Sequence, residues 1–286
     1  NPAWRNGVLI VFSLFFYAWG EPGWVTLLIF SATIDYFHGR ICERYAGHWQ
    51  AKAALVSSLV VNLGLLGVFK YSGMLVPGLR DLYKPFGLAY YSLQLAGYLL
   101  DVWHDRTAPT PSYARLWCYA GFFLSLTQGP FNRYNTLMPQ LEAAPKTFET
   151  QRLVSGLQRS AWGYFKKFAI ADRAAIVVSA AFADPASFDR SQLIFATVMY
   201  SFQLYADFSG YTDIVLGMGE ILGLHLPENF RQPFFADSVK DIWARWHISL
   251  STCGVVPGID ALAEKELQPT DTAMALAAGD HCGLLI

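Results

Sequence analysis

Leu55-Val56-Ser57-Ser58-Leu59-Val60-Val61-Asn62-Leu63-Gly64-Leu65-Leu66-Gly67-Val68-Phe69 carries no charged side chain. A helix on the surface of a soluble protein must turn a polar face to water, so such a stretch belongs in lipid or in a large core. Extended back to Ala53 and closed by Lys70, it approaches the roughly 20 apolar residues that a spanning helix needs. Other runs flank it. Residues 7–19 are apolar until Glu21-Pro22-Gly23, and residues 24–37 resume the run. That pair reads as two short half-inserted segments or one broken span. Residues 86–103 form a further candidate, closed by His104-Asp105-Arg106, and residues 113–126 a shorter one that stops at Gln128-Gly129-Pro130. Residues 156–182 are apolar but hold Lys166, Lys167, Asp172 and Arg173, while residues 192–226 suffice for a span and a continuing half. The pattern predicts an all-α, polytopic membrane bundle of about six segments, some short or re-entrant.

Composition agrees. Hydrophobic residues make up 53% of the chain and charged residues 15%, against about a quarter charged in a soluble domain. The alternative, a large soluble core, would need charged faces between its apolar stripes. A net charge of −1 and the lack of a basic patch argue against a nucleic-acid partner. Cys42, Cys118, Cys253 and Cys282 have no paired spacing and read as apolar fillers, with no metal site or disulfide frame expected. Basic residues give no clear orientation: Arg40, Arg44 and Lys52 follow the second run, and Lys70, Arg80 and Lys84 follow the next on the opposite side. Residues 130–160, with Arg133, Lys146, Arg152 and Arg159, read as a surface segment or an amphipathic helix in the interface.

Ionisable groups within apolar sequence are costly, which makes each a candidate site. The densest group is Phe202-Gln203-Leu204-Tyr205-Ala206-Asp207-Phe208-Ser209-Gly210-Tyr211-Thr212-Asp213. These polar groups either line a tunnel or satisfy one another between packed helices, and Ser209-Gly210 is a point where the helix is expected to loosen. Gly219 and Gly223 have GxxxG spacing, for which helix packing is the expected role. In residues 237–251, Ser238 and Asp241 fit a capping box, Asp241 and Arg245 are i,i+4 partners, and Trp243, Trp246 and His247 would share a helix face. Taken alone, His247 reads as structural, catalytic or part of an interfacial aromatic anchor.

At these residues the sequence resembles the membrane-bound O-acyltransferase family, in its polysaccharide-modifying, alginate O-acetyltransferase-like branch. The match rests on Tyr205-Ala206-Asp207-Phe208-Ser209-Gly210-Tyr211-Thr212-Asp213, Asn229-Phe230-Arg231-Gln232-Pro233-Phe234 and Asp241-Ile242-Trp243-Ala244-Arg245-Trp246-His247-Ile248-Ser249-Leu250-Ser251. Residues 15–20, 128–133 and 165–173 support it. The resemblance implies a many-helix enzyme with a central tunnel, multi-pass in the bacterial inner membrane. It would move an acetyl group from a cytoplasmic donor, acetyl-CoA or another acyl thioester, to an exported polysaccharide, with no bound cofactor and no metal. Membrane lipid and periplasmic acetylation proteins are the implied partners. His247 is the implied catalytic residue; Gln203, Tyr205, Asp207, Ser209, Tyr211, Asp213, Asn229 and Arg245 are expected to bind substrate or line the tunnel. A histidine suits the reaction because a base near neutral pH can take the proton of an attacking sugar hydroxyl. D-alanyl transfer to teichoic acid is the rival within the family. A transporter or channel is the rival outside it, and would predict internal repeats, which the sequence does not show.

The resemblance covers residues 7–251, read as a partial membrane domain. The family's second histidine, in a Leu-Trp-His-Gly-type motif, has no counterpart; His281, followed by Cys282-Gly283, does not match. The chain alone is therefore expected to be inactive. It opens at Asn1 without a signal peptide, which predicts a truncated start. All 21 Phe, 15 Tyr and 9 Trp precede Thr252. Codons for Val255-Val256-Pro257-Gly258, read one base later, can spell Trp-Phe-Arg-Glu, which fits the family pattern. Residues 252–286 are thus expected to be out of frame or otherwise non-native, the alternative being a short variant with a solvated tail.

Overall fold

The structure, a computed structural model, describes residues 2–76, 78, 85–143 and 148–252. Within them all regular structure is helical: α1 Pro2–Gly20, α2 Val25–Arg44, α3 Trp49–Leu75, α4 Leu88–Trp103, α5 Tyr113–Ala120, α6 Tyr134–Ala143, α7 Thr150–Phe165, α8 Asp172–Ala183, α9 Arg190–Ile221, α10 Val239–Arg245 and α11 Ile248–Thr252. A π-helical turn, Lys166–Ala171, joins α7 to α8. The sole β feature among the described residues is an isolated antiparallel bridge between Phe230 and Trp246. Residues 253–286, which carry the expected out-of-frame tail with Cys253, Cys282 and His281, lie outside the described residues.

The helices form two compact units. In the first, residues 2–127, 131–143 and 249–252, α4 is the central element: Tyr90 through Val102 are all buried. Its continuous apolar sequence has no polar face because it presents none to solvent. The Glu21-Pro22-Gly23 interruption becomes a short 3-10 turn, Pro22–Trp24, between α1 and α2, since proline suits the first turn of a helix and ends the one before it. The run at 113–126 is helical only as far as Ala120. Beyond it the chain turns, and Leu124 and Leu126 are buried without helical structure.

Of the described helices, one is long and apolar enough to cross a membrane, over Trp49–Met74 in α3. The other apolar runs are carried on shorter helices or are punctuated by charges. Near the middle of α3, Ser58 and Asn62 face a carboxylate on α2 that the sequence pattern did not single out. Asp35 is fully buried and accepts from Ser58 Oγ at 2.5 Å, Asn62 Nδ2 at 2.7 Å and His38 Nδ1 at 3.3 Å. A carboxylate placed there needs such donors, because neither lipid nor core supplies water. Cys42 and Cys118 are free and buried, as apolar fillers should be.

The second unit, residues 128–130 and 148–248, is built on α7 lying antiparallel to α9. Two pairs of glycines, seven residues apart on each helix, set their separation. A Cβ added at Gly156 would lie 2.5 Å from the Gly217 carbonyl oxygen, and one at Gly163 2.5 Å from that of Gly210. Backbone meets backbone where side chains would otherwise intervene. This corrects two expectations. The chain does not loosen at Ser209-Gly210; α9 runs through it unbroken, because Gly210 is buttressed by α7. The close approach also belongs to Gly210 and Gly217 rather than to Gly219 and Gly223. Gly219 sits over Leu226, and Gly223, at φ +75°, turns the chain out of α9.

Candidate active site

Helix α9 starts from a capping box in which Asp189 Oδ1 accepts from the Gln192 amide at 2.8 Å and Gln192 Oε1 from that of Asp189 at 3.0 Å. Along it, Tyr205, Ser209, Thr212 and Asp213 recur at helical spacing and face one pocket of about 490 Å3. Arg159 and Lys166 complete that wall from α7 and the π turn, and Glu228, Phe230, Arg231, Gln232 and Arg245 close it from the segment after α9.

Its charges are interlocked. Asp213 pairs with Lys166 and accepts from Arg159 Nε at 3.2 Å; Arg159 reaches on to Glu228 at 2.6 Å. Lys166 also donates to Ser209 Oγ at 3.1 Å. The wide π turn lets the next residue reach α9 too: Lys167 Nζ lies 2.6 Å from Asp207 and 2.9 Å from Asp172. The π geometry, which is frequent at functional sites, explains why two consecutive lysines serve one neighbouring helix.

The second motif is assembled by the Phe230–Trp246 bridge. Its residues do not continue one helix, so Trp243, Trp246 and His247 do not share a helical face as the spacing predicted. Helix α10 is capped by Ser238 Oγ, which accepts from the Asp241 amide at 3.1 Å. Asp241 bonds Arg245 at 2.8 Å, and its other hydrogen bond goes to the Asp237 amide rather than back to Ser238, so the capping box is half made. The helix stops at Arg245 because Trp246 is extended and pairs with Phe230. The Phe230 and Trp246 rings then meet edge to face at 5.1 Å, and Tyr205 packs against both, at 5.6 and 6.1 Å.

His247 follows in the left-handed region, φ +48°, conformational strain that persists only where the surroundings impose it. The next amide, Ile248, donates to the Asn229 carbonyl at 3.0 Å, and Asn229 is fully buried. The His247 ring stands against the Phe208 ring at 4.7 Å, nearly perpendicular, and is 5% exposed. Burial pushes its pKa down from 6.5 to about 4, which leaves a neutral imidazole at physiological pH.

Of the residues expected from sequence, Tyr205, Ser209, Asp213 and Arg245 are brought to the pocket. His247 and Asn229 sit beside it on the bridged segment. Gln203, Asp207 and Tyr211 do not line it; Asp207 is turned to Lys167 instead. Arg159, Lys166, Thr212, Glu228, Phe230, Arg231 and Gln232 were not among the expected site residues. Lys166 had a visible signal, a charge inside an apolar run, and Arg159 lies seven residues before it, on the same side of a helix. In the first unit, Ser249 of the same motif takes the Phe131 amide at 2.8 Å, and Arg133 reaches the Thr252 carbonyl at 3.2 Å. The family-like stretch 128–133 thereby meets the end of the 241–251 motif.

Sequence comparison gives the class to which this helical chain belongs. The sequence model of the membrane-bound O-acyltransferase family matches residues 12–252, and the chain belongs to that family. It is 31% identical over 266 residues to a probable alginate O-acetylase AlgI of Pseudomonas aeruginosa, covering 87% of this chain and 50% of that protein. It is 29% identical to a peptidoglycan O-acetyltransferase of Helicobacter pylori, covering 88% and 54% respectively. A teichoic acid D-alanyltransferase of Bacillus subtilis is 34% identical over 140 residues, 48% of this chain and 35% of that protein. The chain spans about half the length of the alginate and peptidoglycan relatives.

Proposed function

We propose that the whole protein is a multi-pass O-acyltransferase of the bacterial inner membrane that acetylates hydroxyls of an exported polysaccharide, with an alginate-like polymer as the first expectation. The observation that carries this reading is His247, neutral and buried at a strained backbone position beside Phe208, in a chain of the membrane-bound O-acyltransferase family. The sugar hydroxyl oxygen attacks the carbonyl carbon of an acyl thioester, acetyl-CoA or another. Neutral imidazole at His247 takes the hydroxyl proton, a general-base effect that is greatest for a base titrating near the working pH and smaller at the lowered pKa of about 4. The tetrahedral oxyanion collapses, the carbon–sulfur bond breaks, and the departing thiolate takes the proton back. Ester and thiol are the products, and no net proton is consumed.

Exposed apolar side chains support the multi-pass reading. Phe168, Ile176, Phe182, Ile194, Phe195 and Val198 all point outward in the second unit, a density that soluble surfaces avoid. With 32 residues, α9 is about 48 Å long at 1.5 Å per residue, which by length alone exceeds a hydrocarbon core of about 30 Å. Exported polymer and periplasmic acetylation proteins follow as partners.

D-alanyl transfer is the second reading, favoured by the Bacillus relative. The acetyl reading is preferred because the alginate and peptidoglycan relatives match over nearly the whole chain. In the intact parent, His247→Ala should remove most polysaccharide-bound ester. Alkaline release followed by chromatography identifies the acid as acetate or D-alanine. Unchanged ester content would demote His247 to packing, and released D-alanine would select the second reading.

A further inference from the structure

The charges of the 490 Å3 pocket are divided unevenly. Arg159, Lys166, Arg231 and Arg245 line it against two carboxylates, Asp213 and Glu228. Both carboxylates are held by Arg159 and Lys166. The antiparallel bridge brings the backbones of two further arginines together. Phe230 pairs with Trp246, and the Arg231 amide donates to the Arg245 carbonyl at 2.9 Å. Arg231 and Arg245 are thus backbone neighbours, and both line the pocket together with Phe230. Like charges across a ladder repel. Asp241 offsets Arg245, while among the described residues no carboxylate forms an ion pair with Arg231. Gln232, beside it, is held at φ +49° on the pocket wall. Non-glycine backbone of this kind gathers at ligand clamps.

We infer that Arg231 and Arg245 form a seat for a phosphate group. Guanidinium forks match phosphate oxygens two at a time, and an anion between them turns a repulsion into a bridge. The pocket is within the size range of small-molecule sites. The favoured source is the phosphate of the pantetheine arm of the acyl donor, a choice that rests on the transferase reading. Phe230 lines the pocket and meets Phe208 at 5.0 Å, and Phe208 meets His247 at 4.7 Å. A phosphate held at Arg231 thus anchors the donor two aromatic rings from the histidine. An anionic lipid headgroup offers the same chemistry.

The test is calorimetry on the purified 286-residue chain in detergent, titrated with 4′-phosphopantetheine, pantetheine, coenzyme A and a short-chain phosphatidylglycerol. Phosphopantetheine should bind at least tenfold tighter than pantetheine, which differs by the phosphate alone. Arg231→Ala should erase that difference, Arg231→Glu should abolish binding, and Arg231→Lys should keep part of it. Arg231 is exposed, so these variants should fold, which near-UV circular dichroism checks. If no ligand shows Arg231-dependent binding, the seat is wrong. If phosphatidylglycerol alone does, the seat stands and the donor assignment falls. Coenzyme A binding no better than phosphopantetheine locates recognition in the arm that free and carrier-bound donors share. The transferase reading fails separately: Arg231-dependent binding together with an intact parent that transfers no acyl group to any polymer would sink that reading and leave the seat intact.

Discussion

Replacing Gly163 with alanine tests the packing that builds the candidate site. The new Cβ would lie 2.5 Å from the Gly210 carbonyl oxygen and 2.8 Å from Ile214. Ordinary van der Waals contact begins at 3.4 Å, so the shortfall approaches 1 Å against a rigid backbone. Helices α7 and α9 must separate, and contacts are lost along their whole length. Overpacking of this kind costs about 1–3 kcal/mol, and the upper half of that range is expected because the obstacle is main chain. Adding Gly210→Ala should cost less than it does alone, since one displacement relieves both clashes. Gly67→Ala in α3 is the control. A Cβ there meets nothing within 4 Å, and alanine's helix propensity should leave stability unchanged or raise it by up to ~1 kcal/mol. Denaturant unfolding in detergent micelles, followed by far-UV circular dichroism, reads the parent and all four variants. A Gly163→Ala variant within 0.5 kcal/mol of the parent, by the ~1 kcal/mol scale above, would refute the argument.

His247 predicts a pH effect on stability. Its folded pKa, about 4, lies below the unfolded value near 6.5, so the unfolded chain binds the extra proton and stability is lost as pH falls from 6.5 towards 4. Between pH 7 and pH 5 the loss should be about 2 kcal/mol; His247→Gln should lack it, and equal pH dependence in both proteins would show that the ring is not buried as described. Asp35→Ala should destabilise the first unit by about 2–4 kcal/mol, because the Ser58 and Asn62 donors lose their acceptor in a dry interior; Asp35→Asn should cost less, and thermal unfolding decides. Gln232→Gly should relieve left-handed strain and raise stability by up to ~1 kcal/mol, which a flat or lowered melting temperature would contradict.

Much of the helical framework was legible. Apolar runs located α1 to α4 and α9 because burial and lipid both select against charge, but they could not distinguish the two. The run at 86–103 read as a span, and α4 is the buried centre of its unit. What the sequence hid depended on partners far away along the chain. Tyr205, Ser209 and Asp213 share a helix stripe that periodicity exposes. That Asp213 meets Arg159 and Lys166, while Asp207 turns to Lys167, depends on the glycine-set docking of α7 on α9. The His247 backbone reversal depends on the bridge between residues 230 and 246, which helical spacing at 243, 246 and 247 actively disguised. Asp35 went unnoticed because its partners lie 23 and 27 residues away.

An α-helix completes a turn in 3.6 residues, whereas at the end of the π turn the Asp172 amide reaches back five residues to the Lys167 carbonyl. Helix α8 consequently leaves one residue out of phase with α7. Any pairing of this segment with a relative lacking the extra residue must open a gap between 166 and 171, or every later position in α8 is compared with the wrong neighbour. Such a relative could turn only one of two adjacent lysines squarely towards its α9. The one extra residue in the π turn thus brings a second ammonium to α9 without any change of fold.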